Sequence, residues 1–217
     1  MMALPETDLA TSDEGSSEQR SLYIVDDEQE LLTTLASSLS TLGMRPQTFQ
    51  RSAALLAATH DDDIGCVITD LRMPEMGGVE LIKSLKERES CLSVILLTAF
   101  ADVSTAVDVM KLGATSVIEK PFQLQTLQTE IHIAMDSSEQ AFQRREKFRD
   151  AKRRLEALTE EEQAVLELAV AGCPNREISV RLSISPRTVD RRRQSALRKL
   201  QADSIAEYAV LKTRVSV

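Results

Sequence analysis

The sequence predicts two unlike domains in one chain: a doubly wound α/β domain built on a five-stranded parallel sheet, then a small all-α domain. Three observations carry this. Short apolar runs alternate with helical periods from Ser21 to about Ile131. No strand signal follows Thr159. The charge also reverses along the chain: residues 1–139 hold 23 Asp/Glu against 9 Lys/Arg, a net of −14, while residues 140–217 hold 11 against 17, a net of +6, which together return the −8 of the whole. An acidic half joined to a basic half fits a chain of which only the second part meets nucleic acid.

The expected strands are Leu22–Val25, Met44–Phe49, Cys66–Thr69, Val94–Ala99 and Ser116–Ile118. The first, third and fourth are almost continuously apolar, as strands covered on both faces are. Spacings of three and four mark the intervening helices: Leu31, Leu32, Leu35 and Leu39; Val79, Leu81, Ile82 and Leu85; Val103, Ala106, Val107 and Met110; Leu124, Leu127 and Ile131. Ser52 and Asp102 are expected as N-caps, with Gly43 and Gly113 where helices end. Strands alternating with helices imply right-handed crossovers and a parallel sheet.

After Ile131 the character changes. Gln140–Arg154 is highly charged and free of Gly and Pro. A coiled-coil seam drawn through positions 127, 131, 134, 138, 141, 145, 148, 152 and 155 is apolar at first and then polar at every second site, so a solvated helical linker is the better reading. Beyond it, Thr159 and Glu162 form a capping box opening Glu160–Ala171, closed by Gly172. Asn175 is expected to cap a short helix to Leu182, and Ser185-Pro186 to open a longer one to about Leu200. A last helix spans about Ser204 to Lys212. The pair meeting at Ser183-Ile184-Ser185 is a helix-turn-helix candidate, and Val165, Leu166, Leu168, Ile178, Leu182, Ile184, Val189, Leu197 and Leu200 are its expected core.

Composition narrows the classes. No apolar run approaches the ~18 residues of a membrane span, and the acidic, Ser/Thr-rich stretch from Met1 to Arg20 reads as a disordered tail rather than a secretory signal. Cys66, Cys91 and Cys173 are scattered and His60 and His132 lie apart, so neither a disulfide framework nor a zinc site is indicated, which suits a reducing cytoplasm.

In such sheets, ligands bind beyond the carboxyl ends of the strands. There the sequence places Asp26-Asp27, Asp70, Thr98 and Lys120-Pro121. Three converging carboxylates repel one another, and a hard divalent cation with oxygen ligands, Mg²⁺, relieves that. With Lys120 and Thr98 the set can stabilise a phosphoryl group on a carboxylate nucleophile. The segments YIVDDE, ITDLRMPEMGG, LLTA and EKPF resemble the receiver domain of bacterial response regulators, a flavodoxin-like fold, over residues 21–136. The resemblance implies that Asp70 accepts a phosphoryl group from a sensor histidine kinase. It implies that Asp26, Asp27, Asp70 and the backbone carbonyl of Arg72 hold Mg²⁺, that Thr98 and Lys120 engage the phosphoryl group, and that the Lys120-Pro121 bond is cis. Such a domain is a phosphoacceptor, with at most self-phosphorylation from small donors and autodephosphorylation. The family's usual aromatic three residues before the lysine is Val117 here. The signal is then expected to leave through backbone and helix shifts, or through Phe100 or Phe122.

The run from Leu158 to Leu200 resembles the LuxR-type helix-turn-helix, over about residues 157–212, and the whole chain resembles FixJ/NarL-type regulators. The implied division is a tail at 1–20, a receiver at 21–136, a linker at 137–156 and a DNA-binding domain at 157–217. Arg187, Thr188, Asp190, Arg191, Gln194 and Arg198 lie on the exposed side of the expected recognition helix, where Arg pairs with guanine, Gln with adenine and an acid with cytosine. Asn175, Arg176 and Ser185 sit at helix starts facing phosphates, and arginines 191 to 193 add salt-sensitive affinity. Asp190 resembles the acidic residue of the FixJ branch, whereas Arg192 stands where many LuxR-type domains have His. The implied partners are double-stranded DNA, RNA polymerase and, on phosphorylation, a second copy, met through the helix after Asp102 and the strand at Ser116. The alternatives are a C-terminal domain that binds a protein instead of DNA, and an aspartyl-phosphate phosphotransferase or phosphatase. The latter needs a second Asp two residues after the nucleophile, where this chain has Arg72. TVDRRRQSALRKL also resembles sigma-factor region 4, but a sigma factor would need a promoter-melting domain in the space the receiver occupies.

Overall fold

The computed structural model describes residues 20–99 and 103–215. The expected tail up to residue 19, the Asp102 cap and Phe100 lie outside them, while Arg20 at the tail's end pairs with Asp136 and Glu139. The chain divides into two compact units, Met1–Phe142 and Gln143–Val217.

The first unit alternates β1 (Ser21–Val25), α1 (Gln29–Thr41), β2 (Pro46–Phe49), α2 (Ser52–Ala58), β3 (Gly65–Asp70), α3 (Gly78–Glu87), β4 (Ser93–Thr98), α4 (Val103–Leu112), β5 (Ser116–Glu119) and α5 (Leu124–Glu156). All neighbouring strands pair in parallel, in the order β2-β1-β3-β4-β5. Strand residues alternate between two cores. Leu22, Ile24, Cys66, Ile68, Ile95 and Leu97 pack against Leu32, Leu35 and Leu39 of α1 and Leu127 and Ile131 of α5. Tyr23, Val25, Val67, Val94 and Leu96 pack against Leu55, Leu81, Leu85 and Val109 from α2, α3 and α4. Helices therefore cover both faces, and the order reverses between β1 and β3, which opens a crevice at their carboxyl ends.

Three local expectations change. Ser52 is the first residue of α2 and does not cap it: its hydroxyl donates to the Met76 carbonyl at 2.9 Å, anchoring the loop after β3. Asn175 likewise lies inside its helix, after Pro174 at the N-cap. The helix at 124–131 and the solvated linker are one element, because α5 runs unbroken to Glu156. The start of the coiled-coil seam, Leu127, Ile131, Ala134 and Ser138, is its buried face within the first unit. The polar member has a task there, as Ser138 Oγ accepts the Gly65 amide at 2.8 Å. Further on, Ala151 is buried, Leu155 packs into the second unit's core, and Arg154 donates to the Leu200 carbonyl at 3.2 Å. A charged stretch with a thin apolar stripe reads as solvated until a partner for the stripe is known.

In the second unit, α6 (Glu160–Val170), α7 (Asn175–Arg181), α8 (Pro186–Leu200) and α9 (Ile205–Val215) follow the end of α5. The Thr159–Glu162 capping box is present, and Ser185 caps α8 by accepting the Thr188 amide at 3.1 Å. Ser183 takes a positive φ of 53° in the turn between α7 and α8. Val165, Ile178 and Val189 are fully buried with Leu168, Leu182 and Ile184 around them, and Leu166 and Leu200 form a second cluster with Ala196, Ala202 and Tyr208.

Glu162 is a buried carboxylate in that packing. It accepts the Thr159 amide at 2.9 Å and the Lys199 ammonium at 2.7 Å, which joins α6 to the end of α8. Burial acts to raise its pKa, but the bonds from Lys199, Thr159 and Ser195 prevail and hold it down at about 2. Because the folded pKa is depressed, this stabilisation is present above the unfolded value of 4.5 and is lost as pH falls toward 2. Glu162→Gln is expected to cost about 1–3 kcal/mol at neutral pH. In thermal unfolding of the full chain, the gap between wild type and variant should close on acidification; a gap independent of pH would contradict the assignment.

Candidate functional site

Each strand that ends at the crevice delivers a side chain to it. Asp26 follows β1 and is buried, while Asp27 beside it is exposed. Asp70 closes β3 and Thr98 closes β4. Lys120 follows β5, and its backbone amide donates to the Thr98 carbonyl at 2.7 Å, which aims its side chain back over the sheet. Its ammonium lies 2.6 Å from Asp70 Oδ1 and 3.6 Å from Asp26 Oδ2. The other oxygen of Asp70 accepts the Arg72 amide at 2.8 Å, and Asp26 Oδ1 accepts the Glu28 amide at 2.9 Å. The Lys120-Pro121 bond is cis. Asp26, Asp27, Asp70, Arg72, Thr98 and Lys120 thus line one cleft, joined by Glu28, Leu31, Leu71 and Ala99.

Burial raises the pKa of Asp26, and the nearby charges of Asp70 and Asp27 act in the same direction; the Glu28 amide and Lys120 oppose them. The site thus concentrates negative charge around a single lysine. Its protein donors are all oxygens, which is the chemistry of a hard cation. Among the described residues, no three carboxylate, imidazole or thiolate side chains converge into a ready metal cage.

Sequence reasoning missed the glycines that set Asp70. A Cβ on Gly78 would lie 2.6 Å from the Asp70 carbonyl oxygen and 2.3 Å from Leu96 Cδ2, and one on Gly77 would lie 2.8 Å from the Leu71 carbonyl. The start of α3 therefore presses on the end of β3 as only glycine permits. The signal was present as the Gly77-Gly78 pair, but no spacing rule says what a glycine must avoid.

The second candidate surface is the outer side of α8. Arg187, Arg191, Gln194 and Arg198 are exposed. Thr188 is half-buried, its hydroxyl 2.9 Å from that of Ser185, so both serve the helix start. The remaining expected contacts are divided. Arg176 is exposed. Asn175 and Asp190 bond to each other at 2.6 Å and both to Arg193, and Arg192 pairs with Glu161 at 2.7 Å. The arginine run is therefore not one uniform patch.

Comparison with known proteins assigns both units. Residues 22–132 match the response regulator receiver domain, and residues 156–212 match the luxR family of bacterial regulatory proteins. The transcriptional regulatory protein FixJ of Bradyrhizobium diazoefficiens is 33% identical over 90% of this chain and 96% of its own length. FixJ of Rhizobium meliloti is 38% identical over 85% of this chain and 90% of its own. Among solved structures, the response regulator StyR aligns with a TM-score of 0.79 at 29% identity, covering 90% of this chain and 98% of that one. Full-length FixJ from B. japonicum aligns with a TM-score of 0.54 at 32% identity, over 92% and 98% of the two chains.

Gly78→Ala should overpack the junction of β3 and α3 at a cost of about 1–3 kcal/mol. The first unit should unfold at lower urea with the second unit unaffected; an unchanged urea midpoint would show that the close approach is not tight in solution.

Proposed function

The chain belongs to the FixJ-like response regulators, in which a receiver domain is joined to a LuxR-type DNA-binding domain that regulates transcription, and on that premise we propose that Asp70 is the phosphoryl acceptor that switches it. The observation that carries this is the seat of Asp70: it ends the central strand, is bonded by the Arg72 amide and Lys120, and faces an acidic pair across the cleft. A receiver implies a histidine kinase partner and a LuxR-type domain implies DNA.

In the reaction the phosphorus–nitrogen bond of a kinase phosphohistidine breaks as a bond forms between phosphorus and a carboxylate oxygen of Asp70, and the imidazole leaves. Lys120, already within 2.6 Å of Asp70, moves its charge to a phosphoryl oxygen. The Thr98 hydroxyl turns to the same group. Receiver domains generally use Mg²⁺; here Asp26, Asp27, Asp70 and the Arg72 carbonyl would hold it, and when bound it would supply charge neutralisation for the transferring group. No second carboxylate stands two residues after Asp70, where a phosphatase of the haloacid-dehalogenase type needs one; Arg72 is there, and its side chain is exposed. The phosphoryl group is the signal, and DNA binding is the output.

Val117 lies in β5 and packs into the core shared with α2, α3 and α4, whereas Phe122 packs into the opposite one. With no aromatic at position 117 to rotate, the signal leaves through α4 and β5 as a backbone shift. Val107 and Met110 on α4 are 45% and 47% exposed, enough apolar surface to meet a second copy on phosphorylation. A dimer places two α8 helices on paired half-sites about one DNA turn apart. In the groove, Arg187, Arg191, Gln194 and Arg198 read bases, and Arg176 steadies the complex on phosphate. RNA polymerase is the further partner and the cytoplasm the compartment; among the described residues, no helix is long and apolar enough to cross a membrane. The rival reading, a protein-binding output, rests on the unusual Asp190 and Arg192, and both of these pair inside the second unit.

Asp70→Asn should abolish labelling by acetyl phosphate without loss of fold, and chelating Mg²⁺ should stop labelling of the wild type. Labelling of the variant at the wild-type rate would refute the assignment. Arg191→Ala should cost about 1–3 kcal/mol on the preferred duplex and relax one base position. Arg176→Ala should weaken all duplexes alike. If selection from random DNA returned one motif for wild type and Arg191→Ala alike, α8 would not be the reader.

A further inference from the structure

Three side chains close a ring between α7 and α8. Asp190 Oδ1 accepts the Asn175 amide nitrogen at 2.6 Å and one terminal nitrogen of Arg193 at 3.2 Å. The other terminal nitrogen of Arg193 donates to Asn175 Oδ1 at 3.1 Å. Each member is bonded to both others, and the ring admits one orientation of the Asn175 amide, with its carbonyl toward the cation and its NH₂ toward the anion. A flipped amide would oppose like dipoles at both contacts.

Two consequences follow from position. Asn175 is the first residue of α7, while Asp190 and Arg193 lie one turn apart within α8. The ring therefore cross-links the two helices of the helix-turn-helix on the far side of the turn from Ser183. It also occupies the guanidinium fork of Arg193 and neutralises its charge. Glu161 does the same to Arg192, at 2.7 Å. Of three consecutive arginines, only Arg191 is exposed.

Because phosphate contacts raise affinity for every sequence alike while base contacts discriminate, withdrawing cations from the backbone sharpens choice. We propose that Asp190 is a positioning residue for DNA recognition, which holds Arg193 off the phosphates and fixes α8 against α7 so that Arg187, Arg191 and Gln194 enter the groove in one register. This rests on α8 being the reading helix. It assigns Asp190 a role other than direct pairing with cytosine.

The test uses the full chain and two probes: a short duplex of mixed sequence titrated across a salt series, and selection from a random DNA pool. Asp190→Ala should free Arg193 for a phosphate, steepening the plot of log affinity against log salt by about one unit. Its selected motif should blur at every position read from α8. Adding Arg193→Ala to that variant should return the slope to the wild-type value. Asp190→Asn keeps an acceptor for Asn175 but loses the charge that holds Arg193, so it should give a smaller steepening; it carries the test if the alanine variant does not fold. The proposal is overturned if Asp190→Ala and Asp190→Asn leave the slope unchanged. It is overturned if the double variant falls about one unit below wild type, since Arg193 would then already sit on a phosphate. Loss of preference at a single base pair with the rest of the motif intact would make Asp190 a direct reader and also overturn it. If Arg187→Ala and Arg191→Ala change neither slope nor motif, α8 does not enter the groove, and the proposal falls with its premise.

Discussion

Lys120 is the cation bonded to Asp70 at a site that also holds Asp26 and Asp27, and the arrangement of the first unit turns on that imbalance of charge. Its ammonium touches Asp70 and approaches Asp26, which offsets part of the repulsion that burial sharpens. The residue reaches the site because its backbone amide extends the pairing of β5 with β4 to the Thr98 carbonyl. Asp70 reaches it because β3 runs between β1 and β4 and because α3 opens on glycines that let the next helix close behind it. The excess of negative charge that remains after Lys120 is counted is what makes the cleft suited to a divalent cation and to a group carrying charge of its own.

The second unit uses ionisable groups for a different purpose. Glu162 with Lys199, Arg192 with Glu161, and Asp190 with Asn175 and Arg193 all tie α8 to its neighbours. Apart from the pair made by the buried Glu162, these are partly exposed and contribute little stability each; they are better understood as constraints on where one helix lies and which of its cations face outward. Val189, Ala196 and Leu200 seat α8 in the apolar core, and polar cross-links from its middle and its C-terminal end add to that hold.

Most of the architecture was legible because it depends on period. Four of the five expected strands agree with the structure to within a residue or so, and Met44–Phe49 shortens to Pro46–Phe49. The capping box at Thr159 and the Ser185-Pro186 start read correctly because those signals lie within four residues of one another. The acidic pair, Asp70, Thr98 and Lys120 were legible as a site because strand ends in a parallel sheet must share an edge. Ser52 and Asn175 did not follow their cap signatures, since each has a distant partner, the Met76 carbonyl and Asp190 respectively. The polar position Ser138 read as a flaw in an apolar seam for the same reason, its partner being the amide of Gly65.

By itself the sequence determined the succession of elements, the two-domain division of charge and the identity of the groups at the sheet's carboxyl edge, because all three follow from local spacing and from a topology that local spacing implies. Tertiary structure alone decided which charges are spent internally and which are presented. Arg191, Arg192 and Arg193 are identical in composition and adjacent in sequence, yet the first is exposed while the others meet Glu161 and Asp190. Successive helix positions differ by about 100° in direction, so three like residues face three environments. Which of them finds an anion depends on elements that arrive from elsewhere in the chain.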